Sequence, residues 1–249
     1  MTASMHGHAA ARWTRAALRT VVALAIGWTA AAAWAQTPSK QLAPGFTALP
    51  RDAKVVMMPI DVELFSLSAG GVPEPKADWT ASAHKHMAAE LAARTAKAGL
   101  KASRLDDAAA DEYAEQFGLH AAVARSIELH HAGVGWALPT KEGRLDWTFD
   151  DAMKPLAQAT GAQYGLFVFV RDSYASAERK AAMVAIALLT LGNAVLSGGV
   201  QVGYASLVDL NTGRVVWFNR LVSGTGDLRE AAPAAASIEK LLAGFPAVQ

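Results

Sequence analysis

Imidazoles and carboxylates are the side chains here with the most chemical potential, and their spacing decides what they could do. His84 and His86 stand two apart in a stretch of helical pattern, which puts them on different sides of a helix and gives poor chelating geometry. His130 and His131 are adjacent, with Glu128 close by. At the C-terminal end of a helix an imidazolium is favoured by the free carbonyls, which is a structural role. Neither pair has a third ligand at zinc-motif spacing, and a chain with no cysteine offers no thiolate. No metal ligand is assigned.

Asp106-Asp107, Asp111-Glu112 and Asp150-Asp151 could in principle divide acid and base work. Each falls at a helix start, where acids serve capping and the helix dipole. Gly70-Gly71, Gly198-Gly199 and Gly224-Thr225-Gly226 match neither the phosphate-loop pattern with its lysine nor the dinucleotide fingerprint. No serine sits in a nucleophile elbow. Asp227 and Arg229 follow a glycine-rich turn and are placed to pair with each other or to hold a partner. No catalytic or cofactor-binding residue is assigned, and the chain reads as non-enzymatic; a periplasmic enzyme or metal-binding protein using these clusters is the third alternative.

The elements that would position these groups are easier to read. Tyr204 to Arg220 has two runs rich in Val, Leu, Tyr and Trp around Asp209-Leu210-Asn211-Thr212-Gly213, the grammar of a hairpin. Lys54 to Ile60 is a nearly continuous apolar run that predicts a buried strand, with Pro59 at its end or a bulge. Asp61 to Phe65 alternates, so one face meets solvent. Ser68 to Asp78 is a loop, and Asp78 caps a helix from Trp79 to about Ala98 with Trp79, Ala83, Met87, Leu91 and Thr95 as its stripe. Gly99 stops it.

A second helical region runs from Asp106 to about His131, with Tyr113, Phe117, His120, Val123 and Ile127 on one face and Gly118 as a point of interruption. Gly133 to Asp146 is a loop, Thr148 caps a third helix that ends near Thr160-Gly161, and Tyr164 to Val170 is a central strand. The chain closes with a helix opened by Pro233 and striped by Ile238, Leu241, Leu242 and Phe245. This order predicts an α/β (α+β-like) fold with helices packed on a mixed sheet that ends in an antiparallel hairpin.

Between the central strand and the hairpin lie Ala181 to Leu196, 16 residues without a charge, closed by Ser197-Gly198-Gly199. As a helix this run spans about 24 Å, short of the ~30 Å hydrocarbon core. A buried or interfacial helix is therefore the first reading of the insertion 181–200, and an integral membrane protein anchored by it is the second.

The N-terminus carries Arg12, Arg15 and Arg19 before the apolar Val21 to Ala33, then Ala33-Trp34-Ala35, the pattern of a signal peptide cleaved after Ala35. Residues 36–53 read as a linker and 54–249 as a single domain with the apolar insertion. Absence of cysteine excludes a lipidated cysteine as well as disulfides. Without the leader the chain has 20 basic against 22 acidic residues, a formal charge of −2, which is no nucleic-acid footprint.

Thr160-Gly161-Ala162-Gln163-Tyr164-Gly165-Leu166-Phe167-Val168, an insertion, and then Ala205 to Trp217 together resemble the periplasmic domain of the curli secretion channel, the CsgG-like family, and a related family of bacterial envelope lipoproteins. Val55-Val56-Met57-Met58-Pro59 resembles their opening strand. The resemblance implies an envelope component that assembles, often as a ring, and carries no catalytic residues. The lipidated cysteine of those families is missing here, and Ala181 to Leu196 lacks the alternation of a membrane-spanning β-hairpin. The sequence thus predicts an exported periplasmic protein, membrane-associated through 181–200, acting on an envelope protein partner or as a homo-oligomer.

Overall fold

A computed structural model describes residues 40–249 except 134, 135, 195 and 225. The leader, its cleavage point and residues 36–39 lie outside the described residues. The strands are β1 Lys54–Met57, β2 Asp61–Leu67, β3 Pro73–Pro75, β4 Lys101–Arg104, β5 Tyr164–Ala175, β6 Gln201–Asp209 and β7 Val215–Ser223. The helices are α1 Ala77–Lys97, α2 Asp107–Ala110, α3 Ala114–His130, α4 Lys154–Thr160, α5 Ala177–Leu189 and α6 Ala231–Leu241.

β5 organises the sheet. Its first residues pair in parallel with β1 and its last seven with β2, while its other edge pairs antiparallel with β6 from Tyr164↔Asp209 to Asp172↔Gln201. β4 and β3 extend the β1 and β2 side, and β7 closes the opposite side through the hairpin. The sheet is mixed, as the sequence predicts.

Helices cover both faces. α1 and α6 pack over Leu64, Leu166, Val168, Leu207 and Trp217 on one side, and α3 and α4 over Val56, Phe167, Val208 and Phe218 on the other. Strands covered on both faces read as continuous apolar runs, which is why β1 and the first half of β5 stood out. The stripe Ala83, Met87, Leu91 and Thr95 is buried as predicted. In the hairpin a bulge between Leu207 and Val208 turns Val216 and Trp217 to the same face. Gly213 at φ 71 lies against Asp150, whose carbonyl a Cβ at that position would overlap. The turn therefore requires glycine.

Several boundaries differ from the sequence reading. The loop after β2 contains β3, and α1 begins at Ala77 with Lys76 at its cap, so Asp78 sits in the first turn. β4 is an added edge strand. The second helical region breaks at Asp111–Tyr113 in a 3₁₀ turn and continues through Gly118. Thr148 bridges to Arg214 and accepts a hydrogen bond from Asp150 N (2.9 Å), while α4 itself starts six residues later. α6 starts at Ala231 and takes Pro233 into its first turn. Of the stretch expected as a linker, residues 40–53 lie against the sheet: Leu42 bridges Trp217, and Leu49 is fully buried and pairs with Val248.

Candidate functional site

The insertion between β5 and β6 folds outward as α5, 13 residues long, about 20 Å at 1.5 Å per residue. It stops before the end of the apolar run because Leu191 and Gly192 turn left-handed and Gly192 N returns to the Ala187 carbonyl at 2.8 Å, closing the helix. Among the described residues no helix is long and apolar enough to cross a membrane. The reading of 181–200 as a spanning helix therefore has no helix of the required length.

One side of α5, with Met183 and Ile186, is half-buried, and Met183 lies beside Gly198 of the returning limb. The other carries Ala181, Val184, Ala185 and Leu188, spaced i, i+3, i+4, i+7 as in a helix that expects a neighbour. Val184 is 60%, Leu188 73%, Leu189 84% and Leu191 90% exposed. Burying a Leu or Val side chain is worth about 1.5–3 kcal/mol, so this face forgoes on the order of 5 kcal/mol that a covering surface would recover.

The root of α5 is firmly built. Ser176 caps it by accepting from Arg179 N at 3.2 Å. The buried Arg179 guanidinium donates from Nε to the Ser197 carbonyl at 2.9 Å and from Nη1 to the Ala69 carbonyl at 3.4 Å. One cation thus ties the outgoing limb to the returning limb and to the turn after β2. Gly199, at φ 136, presses on the Ser173 carbonyl, where a Cβ would overlap. Arg179→Ala is expected to lower the melting temperature by only about 2–8 °C, from ~1–2 kcal/mol of lost hydrogen bonding. It should also sharply raise proteolysis within 190–200. Arg179→Lys should protect poorly, since an ammonium lacks the fork that reaches both carbonyls; unchanged cleavage in both variants would refute this role.

Beneath the root is a buried polar cluster. Asp172 accepts from Tyr174 OH at 2.6 Å, Gln201 Nε2 at 2.8 Å and Ser173 N at 2.8 Å. Ser237 donates to Gln201 Oε1 at 2.9 Å, and Tyr174 OH accepts from Leu228 N at 2.8 Å. Burial is the larger influence on Asp172 and raises its pKa despite the bonds it accepts; burial and then the Asp172 carboxylate push the Tyr174 hydroxyl upward. Asp227 and Arg229 do pair, and the Arg229 guanidinium stacks 4.4 Å from the Trp79 ring and 4.6 Å from Tyr174. The hydrogen bond from Arg229 holds the Asp227 carboxyl below its ordinary value. An open groove of about 670 Å³ runs alongside, lined by Trp79, Tyr174, Lys180 and Arg229 among others.

The residues weighed from sequence for chemistry are scattered. His130 Nδ1 contacts the Trp136 carbonyl and His131 Nε2 the Lys40 carbonyl, and Glu128, its pKa raised by burial, faces Arg220 at 3.8 Å. Asp106 caps α2 by accepting from Ala108 N at 2.9 Å, and Asp151 pairs with Lys154 at 2.7 Å. Among the described residues no three His, Asp or Glu side chains converge as a metal site would need. Asp172 was missed, although Val170, Asp172 and Tyr174 continue the period-two alternation of β5 and the signal was present. Ser237 and Gln201 had no local signal, because their partners are 36 and 29 residues away.

No protein-family model and no curated protein matches the chain. Among solved structures it is similar to the PelC dodecamer from Paraburkholderia phytofirmans, with 17% identity, 81% of this chain and 93% of that one covered, and a TM-score of 0.37. Lipoprotein GNA1162 from Neisseria meningitidis is 14% identical over 78% of this chain and 98% of that one, with a TM-score of 0.32. The LpoB C-terminal domain from Salmonella enterica is 13% identical over 73% and 87%, with a TM-score of 0.28. Likenesses at these scores carry no argument about what this chain does, and they do not single out the CsgG-like family.

Proposed function

We propose that this chain is a non-enzymatic, exported cell-envelope protein of the periplasm that acts by protein–protein contact or self-assembly through α5. The observation that carries the reading is the uncharged, outward face of Ala181, Val184, Ala185 and Leu188, held on a root fixed by Arg179. A face that was only a folding by-product would not be expected to stand on a buried cation and a buried polar cluster. The leader pattern before Ala35 supports export. The CsgG-like resemblance of Thr160 to Trp217 supports a role in secretion or envelope assembly.

Photo-crosslinking in intact cells tests this. A crosslinker at Leu188 or Leu189 should give adducts of higher mass, and one at Lys85, exposed on α1, should not. Val184→Ser with Leu188→Ser should remove the adducts at an unchanged melting temperature. Monomer alone from every position would refute the proposal, as would recovery of unprocessed chain from the cytosol.

A further inference from the structure

A second concavity shares no residue with α5. Between the C-terminal turn of α1 and the tail after α6 lies a cavity of about 530 Å³, within the ~300–1,000 Å³ typical of ligand pockets. Leu166 is at its floor, and Leu100, Leu242, Phe245 and Val248 form its walls. Several of its polar atoms are already engaged. The Thr95 hydroxyl donates to the Leu91 carbonyl at 2.9 Å, and the last α1 carbonyls are met by Gly99 N and Leu100 N at 3.0 and 3.2 Å. A ligand entering here meets mostly hydrocarbon.

The rim has the opposite character. Arg94 is held by Glu90 at 2.6 Å and Glu239 at 3.1 Å. Lys97 is exposed, and among the described residues no carboxylate lies within 4.0 Å of its amine. An uncommitted cation at the mouth of an apolar cavity complements one kind of small molecule, an anionic head on an apolar chain. We propose that this cavity binds a free long-chain carboxylate, with its alkyl chain between α1 and the C-terminal tail and its head group at Lys97.

Titration of the full chain with cis-parinaric acid and with its methyl ester tests the assignment. The acid should bind saturably and about fivefold more tightly than the ester, the scale of one exposed ion pair. Lys97→Glu should remove that preference and leave ester binding alone. Ala98→Trp and Ala247→Trp, at exposed positions on the lining, should fill the cavity and abolish binding of both probes without changing the melting temperature. Equal affinity for acid and ester would overturn the proposal, as would binding that survives both tryptophans. Loss of binding in Leu188→Ser would place the probe on α5 and also overturn it. Flotation with phosphatidylglycerol vesicles that is lost in the two tryptophan variants would assign the cavity to a bilayer instead of a free ligand.

Discussion

Acidification from pH 7 toward 4 is expected to destabilise this protein steeply, with His120 supplying about 1.4 kcal/mol per pH unit once the pH is below the ordinary imidazole value. His120 is buried in α3, its ring stacked on Phe167 with centroids 3.8 Å apart and its Nε2 2.7 Å from Ser206 Oγ. Phe149 and Tyr204 close the remaining sides. With no charge partner, burial moves its pKa from 6.5 down to about 3. The folded state therefore keeps the ring neutral where the unfolded chain is protonated. The stabilisation is complete above the unfolded pKa and is lost as pH falls through the window between those two values. The full loss is about 4–5 kcal/mol, a large part of the ~5–15 kcal/mol by which domains are stable. His120→Gln can still bond Ser206 but cannot titrate. Urea unfolding at intervals from pH 7 to 4 should show it less stable than the parent at neutral pH, with a shallower slope. Parallel slopes in the two proteins would refute the assignment.

The same residue shows how far a sequence can be read. His120 falls on the predicted apolar face of its helix, with Tyr113, Phe117, Val123 and Ile127, and that periodicity placed it inward. Its neighbour Ser206 is 86 residues away on β6, and no local pattern links them. The hairpin and the central strand were legible because β-branched and aromatic residues with a glycine turn carry their own conformational preference. β4 was not legible, since all four residues of Lys101-Ala102-Ser103-Arg104 are exposed and only backbone pairing with β1 makes them a strand. Charged edges of this kind protect against unwanted pairing and leave no hydrophobic signature. The insertion's apolar content was plain, but its helical end at Leu189 depended on the left-handed pair Leu191-Gly192, which composition alone did not reveal.

Asp172→Ala should have the other large effect, because it removes the acceptor on which the cluster converges. The donors Gln201 Nε2 and Tyr174 O–H, both bonded to Asp172 Oδ2, would lose their acceptor in a buried site at roughly 1–3 kcal/mol each. A total of about 2–6 kcal/mol corresponds to a fall of about 4–24 °C in melting temperature for a chain of this size. Asp172→Asn separates charge from shape. It keeps one acceptor oxygen, sets an amide against Ser173 N, and should cost about half as much at neutral pH. The raised pKa of Asp172 gives this comparison a sign. A carboxyl that resists ionisation in the fold costs nothing below the unfolded value of 3.8, and its cost grows as pH rises toward the folded value. The advantage of the parent over the asparagine variant should therefore narrow between acid and neutral pH; a gap that widens instead would show that the carboxylate is held by its hydrogen bonds against burial. Gln201 begins β6, where the chain returns from α5. Loss of the cluster should then also expose 190–200 to protease, as is expected for Arg179→Ala. If the root of α5 is the device that presents its apolar face, crosslinking from Leu188 must fall in both variants. Crosslinking that persists while the root is loosened would mean that the face docks without being held in place.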